Sequence, residues 1–190
     1  MLYRATSILH SGKQGLSNGL LRVLVTISIL LLIISPIAAQ KGLKRSVSNG
    51  DTTYATAEKK IFARPGSKNA VGDILKSTFY RYPNGYSLCF YVQSGRSSHF
   101  SISAGAEVVL KWADGNSISL RCRSASQSAP SRLDYGGWLY AFYGLSASQL
   151  TMLAQQPLNQ INISSSTGWM EYPMTDRSAK LVMEQAALIR

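Results

Sequence analysis

Residues 107–123 read EVVLKWADGNSISLRCR, and this stretch decides the fold because it specifies a β-hairpin from local chemistry alone. Asp114 and Gly115 supply the positive backbone φ angles that a tight hairpin turn requires. Apolar and polar residues alternate along both arms with the period of a β-strand. The apolar face consists of Val108, Leu110, Trp112, Ile118, Leu120 and Cys122. We therefore expect one side of the hairpin to face a core and the other to face water, as in an antiparallel sheet.

Short runs of aromatic and β-branched residues, separated by turn residues, continue on both sides of this hairpin. The further runs that we assign as strands are 78–82, 86–93, 99–103, 138–143, 160–164 and 168–173. Ser146 and Gln149 form a capping box, which predicts a short helix that ends before Pro157. A C-terminal helix is expected to begin after Thr175 or Asp176. The pattern predicts an α+β fold, an antiparallel sheet of about seven short strands with the short helix and the C-terminal helix packed on it. The alternative is a β-sandwich.

The N-terminal segment predicts export. Residues 23–34 read VLVTISILLLII, with basic residues before them and SPIAA at 35–39. These are the parts of a secretory signal peptide, so we predict that residues 1–39 are a signal cleaved between Ala39 and Gln40. The predicted location is periplasmic or secreted, with transient membrane contact through the signal. Because residues 20–39 approach the length of a spanning helix, an uncut anchor in the inner membrane is the alternative.

The remainder of the chain is predicted to form one domain behind a flexible arm. Residues 40–57 are polar and basic and lack sustained periodicity, so we interpret them as a flexible basic arm. Residues 58–190 are assigned to a single α+β domain. The chain carries a formal net charge of +11, which favours association with anionic surfaces.

Cys89 and Cys122 are the only cysteines, and an exported chain would hold them in an oxidising space. One disulfide between them is therefore an open prediction. The alternation of side chains argues against it, because Cys122 shares the apolar face of its strand whereas Cys89 lies opposite Leu88 and Phe90. Two separately buried thiols are the alternative.

The sequence offers few residues for catalysis or metal binding. His99 is the only histidine outside the predicted signal, and a zinc site needs several clustered ligands. Phosphate-binding and dinucleotide-binding glycine motifs are absent. We predict no catalytic residue, metal or cofactor. The alternative is a small secreted hydrolase that uses His99, or Glu107 with Glu171 as paired carboxylates.

Two features could support binding. The candidate binding surface is the basic outer face of the 107–123 hairpin with one arginine from the following loop: Lys111, Arg121, Arg123 and Arg132. Seven aromatic residues also occupy the predicted strands: Tyr80, Tyr82, Tyr86, Tyr91, Trp138, Tyr140 and Tyr143. Packing is our preferred explanation for these rings, because aromatic residues are common in strands. Stacking on carbohydrate or on single-stranded nucleic acid is the alternative.

The segment from Trp138 to Ile189 combines an aromatic strand, the helix YGLSASQLTML, an INI strand, the aromatic strand WMEY and a closing helix. In this combination it resembles the C-terminal part of uncharacterised exported proteins of Gram-negative bacteria, and the resemblance implies no catalytic residue. We therefore expect a non-enzymatic binding or envelope-associated module. Its expected partner is an unidentified protein or an anionic envelope polymer, with nucleic acid unlikely. An anionic-polymer binding protein is kept as an alternative to the protein-binding module.

Overall fold

The computed structural model describes residues 42–66, 72–95, 99–126, 129–130 and 136–190, and Gly42–Arg190 form a single compact unit. The predicted signal at 1–39, its cleavage between Ala39 and Gln40, and Arg132 of the candidate binding surface lie outside the described residues. Nothing in the structure therefore bears on export or on the contribution of Arg132.

The described chain forms a sheet of eleven strands and two helices. In chain order the strands are β1 (Leu43–Ser48), β2 (Asp51–Thr56), β3 (Lys59–Arg64), β4 (Asp73–Tyr82), β5 (Gly85–Ser94), β6 (Glu107–Trp112), β7 (Ser117–Ala125), β8 (Ala129–Pro130), β9 (Gly137–Leu145), β10 (Leu158–Ser165) and β11 (Gly168–Pro173). The helices are α1 (Ala147–Gln155) and α2 (Asp176–Ile189). All strand pairs are antiparallel. Hydrogen-bonded neighbours follow the order β1-β2-β4-β5-β9-β7-β6-β10-β11, while β3 pairs with β4 and the short β8 with β9.

The hairpin predicted from residues 107–123 is confirmed as β6 and β7. Val108 lies opposite Leu120, and Gly115 has the positive φ angle of 88° that the turn demands. An Asp114 carboxylate oxygen accepts a hydrogen bond of 3.0 Å from the Asn116 backbone N–H and so fixes the turn. Local turn chemistry and strand alternation were therefore sufficient to predict this element.

Strand β7 joins the two halves of the sheet. Its first residues pair with β6, and the part from Cys122 onward pairs with β9. The rings of Phe62 on β3, which pairs with β4, and of Tyr172 on β11, the last strand of the order, meet edge to face with 5.2 Å between their centroids. The sheet therefore curls around one core and brings β11 against β3. It is one continuous sheet, unlike the two separate sheets of the sandwich alternative.

The core fills the inside of the curled sheet. Its largest completely buried side chains are Tyr143, Tyr172, Phe79, Phe90, Ile61, Leu75, Leu88, Leu110, Leu139, Leu150, Leu153 and Ile161. Helix α2 adds Val182, Ala186 and Ile189 to the same cluster. Burial of such apolar area supplies the main favourable term in folding. Both helices therefore pack on the inner face of the sheet.

Both helices begin as the sequence predicts. The Ser146 hydroxyl accepts a hydrogen bond of 3.1 Å from the Gln149 backbone N–H, and the Gln149 side chain accepts one of 2.9 Å from the Ser146 N–H. This reciprocal pair is a capping box. Helix α2 is capped by Thr175, whose hydroxyl accepts a bond of 3.2 Å from the Ser178 N–H. Neither helix in the described part of the chain has the length and apolar character needed to cross a membrane.

A buried polar network attaches α2 to the sheet. Gln185 is 4% exposed, and its side-chain nitrogen donates to Thr56 Oγ1 at 3.1 Å, Ala57 O at 2.8 Å and Ser77 O at 3.0 Å. Its side-chain oxygen accepts from the Ser77 hydroxyl at 2.6 Å. Thr56 Oγ1 accepts a further bond of 3.0 Å from the Phe79 backbone N–H. One glutamine therefore links the final helix to β2 and β4.

The α+β assignment is confirmed in outline, whereas the expected number of strands was too low, because eleven are present. The expectation of a flexible arm at 40–57 was wrong for its described residues, which form β1 and β2. Asn49 and Gly50 turn this hairpin with positive φ angles of 51° and 84°. The sequence pattern did not predict these strands because their residues are mostly polar and show no hydrophobic periodicity.

The two cysteines are free thiols, so the disulfide left open by the sequence is not formed in the structure. Cys89 is paired in register with Phe142 of β9, and Cys122 with Tyr143. Because Phe142 and Tyr143 are adjacent in β9, they point to opposite faces of the sheet, and so do the two cysteines. The alternation argument from the sequence therefore agrees with the observed geometry.

Candidate binding face on the central strands

Six aromatic side chains lie together on the outer face of β4, β5 and β9, the face opposite the core. We call this surface the aromatic face, and its rings are Tyr80, Tyr82, Tyr91, Trp138, Tyr140 and Phe142. They share one side because successive residues of a strand alternate between faces. The inner side of β9 carries Leu139, Ala141 and Tyr143, all fully buried. Strand β9 is thus apolar on both faces.

Strand register brings these rings into contact. Tyr91 lies opposite Tyr140, and their ring centroids are 5.3 Å apart in an edge-to-face arrangement. Trp138 stacks on Tyr91 at 5.8 Å and meets Tyr140 edge to face at 5.9 Å. Offset-stacked and edge-to-face pairs are the arrangements that the ring quadrupoles favour. These three rings therefore form one mutually supporting group.

The other three rings form a second group further along the strands. Tyr80 and Tyr82 are stacked with 6.0 Å between centroids, and Tyr80 also approaches Phe142 at 6.0 Å. Tyr82 is 39% exposed, and the other five rings are half-buried. Between the groups lies Cys89, which is 3% exposed. The aromatic face is thus a strip of half-exposed rings that continues over three strands.

Four of the six rings carry hydroxyl groups. Burial raises the pKa of the Tyr80, Tyr82 and Tyr91 hydroxyls above the ordinary value of 10.0. The Tyr91 hydroxyl donates a hydrogen bond of 2.9 Å to the Gln93 side chain. At neutral pH the face therefore combines apolar ring surface with hydroxyl donors, the composition of a surface that recognises a partly polar ligand.

Lys76 lies over one end of the aromatic face, and its charge is balanced. Its ammonium group is 4.5 Å from the centroid of the Tyr91 ring and donates a hydrogen bond of 2.8 Å to a Glu58 carboxylate oxygen. The hydrogen bond to Glu58 is the main reason that the pKa of Lys76 is raised above 10.5. Because the ion pair is largely solvent-accessible, its effect on stability is small.

A shallow groove of about 360 Å³ borders the rings on the side of β1 and β2. Its lining residues are Lys44, Ala55, Thr56, Glu58, Thr78, Tyr80, Tyr140 and Phe142. Lys44 lies opposite Ala55, which in turn lies opposite Tyr80. The hairpin that we expected to be a flexible arm therefore forms one wall of the candidate site.

Arg123 lies at the opposite border of the aromatic face. The register of β7 and β9 is irregular between Cys122 and Ser124, and the intervening arginine places its guanidinium over Gly144 of β9. A Cβ atom at Gly144 would overlap this guanidinium, so the close approach depends on glycine. Gly144 is in register with Ser87, and Ser87 with Tyr80. Arg123 is thus directed at the same outer face as the rings.

Three residues of the candidate surface predicted from the sequence lie in the described part of the chain. Lys111 and Arg121 lie on the outer side of the β6–β7 hairpin, where Arg121 is opposite Glu107. Glu171 of β11 lies on the same side, opposite Asn162 of β10. The hairpin surface therefore mixes both signs of charge. Arg123 is also on the outer side, and its guanidinium lies over Gly144 at the border of the aromatic face.

The carboxylates proposed for a hydrolase lie two strands apart on the same side of the sheet. Strand β10 lies between β6, which carries Glu107, and β11, which carries Glu171. From the spacing of strands and residues, their Cα atoms are about 12 Å apart across the sheet surface. His99 is exposed in the loop between β5 and β6. The described residues contain no group of three or more histidine, cysteine or acidic side chains suited to a metal ion.

A second cleft, of about 540 Å³, lies where the two ends of the sheet meet. It is lined by Arg64, Asp73, Ser94, Thr167, Trp169, Met170, Glu171 and Tyr172. Arg64 donates a hydrogen bond of 3.3 Å to Asp73, which also accepts one of 3.0 Å from the Gly95 backbone N–H. Asp73 therefore ties β3 and β5 together at this end of the sheet. Trp169 is 54% exposed beside it.

Sequence reasoning found most members of the aromatic face but not the face itself. Five of the seven strand aromatics that it singled out are outer, whereas Tyr86 packs against the core and Tyr143 is buried within it. Phe142 was missed as a member, although its position between Tyr140 and Gly144 in an alternating strand was a usable signal. Comparison of the chain with protein-family models, with curated proteins and with solved structures found no match.

Proposed function

We propose that this protein is an exported, non-enzymatic module that binds carbohydrate of the cell envelope through the aromatic face. The observation that carries the proposal is the strip of six half-exposed rings, four of them tyrosines, on three adjacent strands. The C–H groups on the flat side of a sugar ring carry partial positive charge, which matches the negative face of an aromatic ring. Tyrosine hydroxyls at the ring edges can bond to the sugar hydroxyls.

A carbohydrate fits this face better than the other ligand classes that we considered. Single-stranded nucleic acid needs a positive track for each successive phosphate. Here the lysine beside the first ring group is already paired with Glu58. A protein partner would favour a surface that is more apolar at its centre. Export, as predicted from the leader, would bring the module to the glycans of the envelope.

The proposal is tested by measuring the binding of the full-length chain to an array of bacterial envelope glycans, followed by titration calorimetry with the best soluble oligosaccharide. We expect Trp138→Ala and Tyr82→Ala each to weaken binding about tenfold, which corresponds to about 1.4 kcal/mol. Trp169→Ala is the matched control, because this exposed tryptophan lies outside the aromatic face. It should bind as the parent does.

Three results would contradict the proposal. One is the absence of binding to every glycan on the array. Another is equal binding by the parent and both ring variants, provided that their thermal unfolding shows that they remain folded. A third is tighter binding of single-stranded DNA, or of one envelope protein, at the same rings. Tyr82 is the safer variant for folding because it is the most exposed ring of the face.

A further inference from the structure

We infer that the glycan bound by the aromatic face carries acidic groups, and that Arg123 is the residue that recognises them. This inference rests on the proposed carbohydrate-binding function and adds the chemical class of the ligand. It starts from the position of one guanidinium, which the irregular register of β7 directs onto the outer face of β9. Alternation with the buried Cys122 puts Arg123 on the outer side of β7, and the register shift between Cys122 and Ser124 makes it the extra residue of the strand beside β9.

The guanidinium has no carboxylate partner in the described part of the chain. Both ion pairs of the described residues involve other cations, namely Arg64 with Asp73 and Lys76 with Glu58. Arg123 is exposed, and no hydrogen bond of its side chain is present among those residues. A guanidinium offers five donors in a planar fork that matches a carboxylate or a phosphate with two parallel bonds. Its donors are therefore available to a ligand.

The Arg123 guanidinium lies directly against the sheet surface. The three atoms that a Cβ at Gly144 would meet all belong to the Arg123 guanidinium. Gly144 is two residues from Phe142 in the same strand, a separation of about 7 Å along the sheet. A sugar that covers the Phe142 ring therefore has its substituents within reach of Arg123. Arginine at this border can recognise an acidic substituent, whereas the rings recognise the sugar itself.

A second cation, Lys44, lies at the far end of a row of paired residues that crosses the sheet to Gly144. The register runs from Lys44 through Ala55, Tyr80 and Ser87 to Gly144, beneath Arg123. The four strand spacings between the backbone positions of Lys44 and Gly144 amount to about 19 Å. Two cations at the ends of a row that contains an aromatic ring fit an oligosaccharide with acidic groups on separate units. Lys44 therefore supports the same ligand class independently of Arg123.

The test compares matched acidic and neutral probes. Oligogalacturonate and other uronic-acid oligosaccharides from the array are titrated into the full-length chain, together with the same oligosaccharides after reduction of their carboxyl groups. We expect the parent to bind an acidic probe at least about tenfold more tightly than its reduced form, as expected for a charge-assisted pair. Arg123→Gln should remove most of this preference and leave the affinity for the reduced probe unchanged.

Two further variants keep the test specific. Arg121→Gln removes a charge two residues away in the same strand, on the hairpin face with Glu107, and should retain the preference. Gly144→Ala keeps Arg123 but forces its guanidinium away from β9, so the preference should fall as in Arg123→Gln. Gly144 does not have a positive φ angle, so alanine is compatible with the backbone there.

The outcomes separate the inference from the proposed function. The role of Arg123 would be overturned if the parent bound the acidic and the reduced probes equally well. It would also be overturned if Arg121→Gln and Arg123→Gln lost the same share of the preference for the acidic probe. In both cases the glycan-binding function would still stand. The role of Arg123 is supported if Arg123→Gln and Gly144→Ala lose the preference for the acidic probe while Arg121→Gln retains it. If Trp138→Ala and Tyr82→Ala bind every probe as the parent does, the proposed function itself fails.

Discussion

Replacing Gln185 with leucine should destabilise the protein strongly, although the two side chains are similar in size. Gln185 is the residue through which α2 is hydrogen-bonded to β2 and β4, and it makes four hydrogen bonds in the buried network. Leucine fills the space but can neither donate nor accept. It leaves the carbonyl oxygens of Ala57 and Ser77, and the Ser77 hydroxyl, without these partners in a site removed from water. Thr56 Oγ1 still accepts from the Phe79 N–H.

The magnitude follows from the number of groups that lose a partner. A buried hydrogen bond contributes about 1 kcal/mol net, and a stranded buried polar group costs at least that much. Three groups therefore predict a loss of about 3 kcal/mol in the free energy of unfolding. For a chain of this length, that lowers the melting temperature by about 6–12 °C. Urea denaturation followed by circular dichroism, with a parallel thermal scan, measures both quantities.

Two further variants control for side effects of the substitution. Glu184→Gln changes the exposed neighbour of Gln185 on α2 and should stay within about 0.5 kcal/mol of the parent. Ser77→Ala combined with Gln185→Leu should cost less than the sum of the two single changes, because the Ser77 hydroxyl has already lost its acceptor. A loss below about 1 kcal/mol in Gln185→Leu would refute the reasoning, since apolar packing would then replace the network without cost.

Three other predictions concern single side chains. Tyr143→Phe should raise the free energy of unfolding by about 1 kcal/mol in urea denaturation, because the Tyr143 hydroxyl is buried without a hydrogen-bond partner among the described residues; destabilisation would mean that the hydroxyl has a partner. Burial raises the pKa of the Cys89 thiol to about 12, so iodoacetamide at pH 8 should label Cys89 in guanidinium chloride but hardly at all in the native protein, as read by mass spectrometry. Glu58→Gln should lower the pKa of Lys76 in an NMR titration, because the hydrogen bond from Lys76 to Glu58 is what raises it. Since the raised pKa belongs to the folded state, the stabilising effect of this pair is complete below pH 10.5 and is lost as the pH rises through the raised value; an unchanged titration would contradict the pairing.

The elements that the sequence predicts well are those whose signal is local. The turn at Asp114 and Gly115 and the capping box at Ser146 each depend on residues within four positions, and both are present. The hairpin of β1 and β2 had an equally local turn at Asn49 and Gly50. Its strands were missed because they are mostly polar, and β2 joins the sheet by pairing with β4, more than twenty positions away in the chain. Hydrophobic periodicity carries no information about such a polar strand.

The candidate site was less predictable for the same physical reason. Alternation places Tyr80, Tyr91 and Tyr140 on definite sides of their strands, but the register between strands decides whether those sides meet. Alternation puts Arg121 and Arg123 on the same side of β7, opposite the buried Cys122. The pairing of β7 with β9 then decides which of them approaches the aromatic face, and the guanidinium of Arg123 lies over Gly144.

Strand β9 carries apolar side chains on both of its sides, and its outer side forms part of the aromatic face. A strand that is apolar on both sides is normally covered on both sides. The inner side of β9 faces the core, and α1 and α2 contribute to that core as well. The outer rings are only half-buried, and their contacts with one another replace part of the burial that a core would provide.

A ligand that covers about 200 Å² more of the ring surface would contribute about 5 kcal/mol at about 25 cal/mol per Å², before the cost of association is subtracted. An association cost of about 4 kcal/mol or more offsets most of this gain, so the rings alone support at most a weak affinity, to which hydrogen bonds to the sugar add. A repeating polymer, which offers many equivalent segments to the same face, is the kind of ligand for which a modest affinity per segment is enough.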